Sequence, residues 1–229
     1  MCFSAVGSFA LSGVLAGTGA AAITINRSPS QRLFAAFPLV FAAQQAAEGV
    51  VWLTLNDPAQ ATLQRLSVAV FLGIAVVIWP TWCPLSLWLA ERDPGRRRLL
   101  GVLSWIGVGV SAGTLALLYH WQPIARVAGH SIQYVHEQSA LGHYTVLVYA
   151  VPALLPFFVS TTMMVRLIGT TFVVSLAVTM VIYRETLTSV WCFFAAILSG
   201  LVLVAVIRRE REIASPVPTA GDGEGVEGE

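Results

Sequence analysis

The chain contains no lysine and little charge of any kind, with Asp, Glu, Lys and Arg making up 11% of its 229 residues. Ordinary soluble domains carry roughly a quarter. A soluble protein this poor in charge could not clothe its surface with polar groups. The 56% hydrophobic content therefore points to lipid as the solvent. Cysteine is also scarce: Cys2, Cys83 and Cys192 are the three in the chain. They form no CxxC pair, which excludes a disulfide framework or a zinc ribbon. There is no Walker A loop, no GxSxG and no HExxH, and no basic patch is interleaved with aromatics. P-loop nucleotide hydrolysis, α/β-hydrolase chemistry, zincin chemistry and nucleic-acid binding lose their usual carriers.

What is present is a series of apolar runs. Crossing a hydrocarbon core of about 30 Å takes about 20 residues at 1.5 Å each. Seven segments qualify: Ser4–Ile25, Leu33–Leu55, Leu66–Ala90, Leu99–Tyr119, Thr145–Met164, Leu167–Tyr183 and Leu187–Ile207. The first starts without a basic leader and runs too long for a cleaved signal, so it reads as a retained helix. The sixth is short and is separated from the fifth by little more than Val165 and Arg166, leaving six helices or a re-entrant pair as the alternative count. The expected fold is an all-α membrane protein, a bundle of about seven transmembrane helices over residues 1–212. Residues 213–229 are Pro- and Gly-rich with Asp222, Glu224, Glu227 and Glu229, and predict a disordered acidic tail.

The arginines orient the bundle. With the N-terminus outside, Arg27, Arg32, Arg92, Arg96, Arg97, Arg98, Arg166, Arg208, Arg209 and Arg211 fall on inner segments. Arg65, Arg126 and Arg184 fall on outer ones. The positive-inside rule thus predicts an outside N-terminus and a cytoplasmic C-terminus.

Three polar residues interrupt the second apolar run. At 100° per residue, Gln44 and Gln45 lie 40° and 60° to either side of Glu48, with Trp52 one turn further on the same face. Glu48 sits about seven residues, or roughly 10 Å, inside the outer boundary. An intramembrane acid costs about 2.5–3.5 kcal/mol on insertion scales and marks a functional position by default. The competing reading is a protonated Glu that joins helices by hydrogen bonds. Gln44, Gln45, Glu48 and Trp52 are the candidate ligand-binding set.

All four histidines, His120, His130, His136 and His143, fall between the fourth and fifth runs, with Tyr134 and Glu137 among them. Their spacings match no helical metal pair. With Cys2 they form a candidate transition-metal set if they converge, against the plainer reading of scattered surface histidines. Cys2 and Cys192 both map to the outer half, where a disulfide needs Cα atoms within about 7 Å. Cys83 reads as a packing residue. Pro80 and Pro84, and Pro152 and Pro156, sit one turn apart; each pair kinks its helix and frees carbonyls that must find other donors. Gly13-x-x-x-Gly17 and Gly109-x-x-x-Gly113 read as helix-packing faces within the bundle.

The segment Met1–Ala5 with Ser8-Phe9-Ala10, the group Gln44-Gln45, Glu48-Gly49 and Trp52-Leu53, and the run from Ser189 to Ala196 together resemble a family of uncharacterised bacterial multi-pass membrane proteins. The resemblance covers most of residues 1–207. It implies the multi-pass architecture and no particular reaction. Three functions are compatible with these residues. One is a small-ligand or ion-handling protein, a transporter or sensor, using the polar face of the second helix. Another is a membrane-embedded metalloenzyme with ligands from the histidine-bearing loop and Glu48 as base. The last is an accessory subunit without chemistry. Expected partners are the bilayer itself, and membrane subunits or further copies of the chain.

Overall fold

The computed structural model describes residues 4–128, 131–135, 142–182 and 187–215. The chain begins with α1 (Ala5–Ile25), whose N-cap Ser4 accepts from the Gly7 N–H at 3.1 Å. A 3₁₀ turn, Pro29–Gln31, and the short α2 (Arg32–Ala35) lead into α3 (Phe37–Thr54), with Pro38 in its first turn, where a missing N–H is tolerated. Then follow α4 (Ala61–Leu72), a π-helical stretch Gly73–Ile78, and α5 (Trp79–Ala90). After these come α6 (Pro94–Trp121) and α9 (Leu187–Ala214), each of 28 residues, with α7 (Gly142–Val159) and α8 (Met163–Ile182) between them. Asp93 starts α6 by accepting from the Arg96 N–H at 2.8 Å, and Gln122, at φ 42°, ends it one residue before Pro123.

Among the described residues, four helical segments are long and apolar enough to cross a membrane: Ala5–Ile25, Pro29–Thr54, Pro58–Ala90 and Pro94–Trp121. The described parts of α7 and α8 add shorter apolar helices. The outer surface is oily: Trp105 is 78% exposed on α6 and Val6 79% exposed on α1. Exposed apolar surface on this scale is what a lipid environment accommodates and water does not.

Packing of the first helices is close. α1 lies against α3, where Ser12 Oγ donates to the Ala42 carbonyl at 2.8 Å. Gly49 is so tightly covered by the Phe9 ring that a Cβ there would come within 2.8 Å of it. An aromatic cluster fills the centre: Trp79 sits 4.3 Å from Phe41 and 5.2 Å from Phe37, ring centre to ring centre. Phe157 lies 5.3 Å from Phe172, joining α7 and α8 to it.

The prolines of α5 explain its irregular start. Pro80 cannot donate to the Val76 carbonyl, and the helix widens to π geometry just before it. Neighbouring helices supply the missing donors. Tyr149 OH reaches the Ala75 carbonyl at 2.8 Å, Thr114 Oγ1 reaches Val76 at 3.0 Å, and Ser111 Oγ reaches Val77. The Pro80 carbonyl, freed in turn by Pro84, is pressed against Gly107 so closely that no Cβ fits there.

Several sequence expectations are corrected. The fifth and sixth runs do not part at Val165 and Arg166. The turn is at Ser160–Thr162, and both residues belong to α8. Arg166 instead reaches back with Nη2 to the Thr161 carbonyl at 3.1 Å, so a charge at a helix end resembled a break. Gly13, Gly17, Gly109 and Gly113 are not packing positions within the bundle: a Cβ at each would meet nothing within 4 Å. Among the described residues, Gly19, Gly49, Gly107 and Gly169 allow close approach, against Leu39, Phe9, Pro80 and Phe157. The loop after α6 is not wholly irregular either. It holds an antiparallel hairpin of β1 (Ile124–Ala128) and β2 (Ser131–Val135), with Ile124 opposite Val135 and Ala128 opposite Ser131. Ile132 is fully buried, and the Tyr134 ring stacks on Phe71 of α4 at 4.7 Å. The acidic tail beyond Ser215 lies outside the described residues.

The bundle thus has two dissimilar ends. A hairpin end carries β1 and β2. A basic end carries the α5–α6 and α7–α8 turns and the last turns of α9.

Candidate functional site

The polar face of α3 lies inside the bundle. Gln45 and Glu48 have no solvent exposure and Gln44 almost none. Gln45 Nε2 donates to a Glu48 carboxyl oxygen at 3.1 Å, and Trp79 Nε1 lies 3.4 Å from Gln44 Oε1. Gln44 is therefore fixed from α5, while Gln45 is turned onto the acid. The aromatic cluster borders this face toward the basic end, because Phe41 precedes Gln44 by less than a turn and Trp79 touches both.

Helix α8 brings further polar groups to the same level. Phe41 and Phe172 lie 6.5 Å apart, ring centre to ring centre. Ser175 and Thr179 follow Phe172 at the steps by which Gln44 and Glu48 follow Phe41, and both are buried. Their hydroxyls donate to the carbonyls of Phe172 and Ser175 at 2.8 and 2.7 Å. Sequence reasoning passed over Ser175, Thr179 and Trp79, since hydroxyls and indoles are unremarkable in apolar helices. Their signal was position: each is a polar group inside an apolar run.

Trp52, one turn beyond Glu48, is half-buried, and its Nε1 is enclosed with no hydrogen-bond partner among the described residues. Ser8 Oγ of α1 is in the same condition. The Phe9–Gly49 contact places Ser8 near the level of Trp52. Enclosed polar atoms without partners are uncommon in folded proteins and each calls for an explanation.

The metal candidates are not brought together where they can be described. His120 is exposed in the last turn of α6. Cys2, His130 and His136 lie outside the described residues. His143 and Cys192 are within α7 and α9, but their side chains lie outside them too. Among the described residues, no three His, Cys, Asp or Glu side chains are placed to hold a metal ion. The Cys2–Cys192 pairing likewise falls outside them. Cys83 is buried and free.

A second acid was missed at the basic end. Glu91, at the C-cap of α5, is buried and its carboxylate gathers donors. The backbone N–H groups of Arg92 and Asp93 donate at 2.9 and 3.1 Å. From the α7–α8 turn, the Thr161 N–H donates at 2.9 Å and its hydroxyl at 3.1 Å. Burial alone would raise the Glu91 carboxyl, but the backbone N–H groups of Thr161, Asp93 and Arg92, with the Thr161 hydroxyl, outweigh it and hold it below the ordinary carboxylate value. Arg96 Nη1 donates to the Val159 and Ser160 carbonyls at 3.0 Å each, closing the end of α7.

No curated protein and no solved structure matches this chain. The model of DUF6629, a family of unknown function, matches residues 1–217, and the chain belongs to that family.

Proposed function

We propose that this protein handles a small polar ligand or an ion, as a transporter or a sensor, through Gln44, Gln45, Glu48 and Trp52. The observation that carries the reading is the complete burial of Glu48 on a face shared with two glutamines. A carboxyl group withdrawn from water amid apolar helices is expensive, and a hydrophobic residue would pack there without that cost. Its retention beside an enclosed indole N–H is what a site offering charge, amide and donor groups looks like. A carboxylate with amide and hydroxyl oxygens at the same level suits a cation, an amine or a transferable proton.

The proposed setting is a seven-helix bundle in a bacterial cytoplasmic membrane with its N-terminus outside. The distribution of arginines supports it, and so does the length of the apolar rods. The polar face then lies in the outer half of the bundle, on the side of the hairpin. Reporter fusions after Asp57 and Thr186 should read as external, and fusions after Pro94 and Ser215 as cytoplasmic; the opposite pattern inverts the site.

The functional test is Glu48→Gln, which keeps shape and hydrogen-bonding capacity while removing the charge and the titratable proton. In a strain whose deletion has a phenotype, the variant should accumulate normally and fail to complement. Full complementation by Glu48→Gln would reduce Glu48 to a joint between helices.

A further inference from the structure

The basic end holds a cavity of about 350 Å³ between the end of α5, the start of α8 and the last turns of α9. We propose that it binds a phosphate-bearing anion, held by Arg92, Arg208 and Arg209. The site stands apart from the α3 face and does not depend on its role.

The argument is one of charge left unanswered inside a concavity. All three arginines line the cavity, with Glu91 and Glu212 as its acids. Glu91 spends its carboxylate oxygens on the backbone of its own cap and on Thr161, and three arginines against two acids leave the cavity with positive charge in excess. Among the described residues, no carboxylate approaches any of the three guanidinium groups within 4 Å. Arg208 reaches only the Met164 sulfur, at 3.5 Å. Arg209 is half-buried, and Nε and Nη1 both donate to the Gln31 side-chain oxygen at 2.6 Å, with that amide turned to face them. The neutral amide positions the guanidinium without adding a countercharge. Burial and the nearby Arg92 charge lower the Arg209 pKa, partly offset by Glu212, Glu210 and Glu91. A cation held at such a cost is stabilised by an incoming anion.

Phosphate is the anion that this geometry selects. Planar guanidinium forks pair two oxygens at once, and more than one fork can share a tetrahedral group. The volume falls at the small end of ligand pockets, enough for a phosphate and a few carbons. Phe34, Leu87 and Val206 line the remainder, which suits the carbon side of a phosphate ester. That ester is either the headgroup of an anionic phospholipid or a soluble small molecule.

The test uses the full chain in phosphatidylcholine nanodiscs, read by thermal unfolding. One arm titrates glycerol 3-phosphate against sodium chloride of equal ionic strength. The other replaces part of the phosphatidylcholine with phosphatidylglycerol. Arg92→Gln and Arg209→Gln are compared with Arg98→Gln, which removes the same charge from an exposed position outside the cavity. At about 100 times the dissociation constant, the wild type and Arg98→Gln should gain several degrees in Tm. Each cavity variant should bind at least tenfold more weakly. A shift with glycerol 3-phosphate identifies a soluble ligand, and one confined to phosphatidylglycerol identifies a lipid. Should Arg209→Gln not fold, the exposed Arg92 side chain still carries the comparison. No wild-type shift in either arm, or cavity variants that respond like Arg98→Gln, overturns the proposal.

Discussion

Two buried acids, Glu48 and Glu91, show how differently the same side chain is used. Glu91 sits where three helix ends meet, and its described donors are mostly main-chain N–H groups from its own cap and from the α7–α8 turn. Such an acid is cement: it replaces the partners that helix termini lack. Glu48 sits in the interior of α3, where the backbone already satisfies itself, and its described donor is the Gln45 side-chain amide. The lesson is that the role of a buried carboxylate is legible from the kind of group that donates to it, more than from its burial.

Substitutions can break that comparison. The largest effect is expected at Glu91→Ala, which strips the cap of α5 and the turn before α8 together. It should cost about 3 kcal/mol in detergent unfolding experiments, and an unchanged midpoint would show that the turn holds without its acid. Glu48→Leu comes next, at roughly 1–3 kcal/mol, since the Gln45 amide loses its acceptor in an apolar interior. Glu48→Gln should cost less than about 1 kcal/mol while removing function, a separation that Glu91→Gln should not show.

Acidification sharpens the contrast. The folded-state pKa of Glu91 lies below its ordinary value, so its contribution to stability is complete above the unfolded-chain pKa of about 4.3. That contribution falls away as pH drops through the lower folded value. Wild-type unfolding should therefore become easier below about pH 4, and Glu91→Gln should flatten that acid limb. The smallest effect is expected at Thr114→Val. It removes one donor to the Val76 carbonyl and should cost about 1 kcal/mol by the same unfolding measurement.

Much of the helical framework is visible in the apolar runs, because a spanning segment must be long and uninterrupted. The grouping of Gln44, Gln45 and Glu48 on one face follows from helical geometry alone. Other features were obscured for specific reasons. Ile124–Ala128 and Ser131–Val135 alternate only weakly in apolar character, so the strand pairing was a fainter sequence signal than the four histidines around it. Arg166 resembled a linker because charge within an apolar run usually marks an end. Glu91 looked solvated, since the sequence places it among Arg92, Asp93 and the arginines that follow, and only the fold brings Thr161 to it. The Gly-x-x-x-Gly spacings were misleading in another way: spacing identifies a smooth face without naming what lies against it.

The bend in the rod from Pro58 to Ala90 has a mechanical consequence. In an unbroken helix the carbonyls of Ala75, Val76 and Val77 would answer to the next turn of their own chain. Here they are held by Tyr149 of α7 and by Thr114 and Ser111 of α6. The joint therefore cannot flex alone: changing its angle means drawing hydroxyls out of two neighbouring helices. Trp79, just past the joint, grips Gln44. These contacts tie α3, α5, α6 and α7 together at the joint, so a change of its angle would be felt at the polar face.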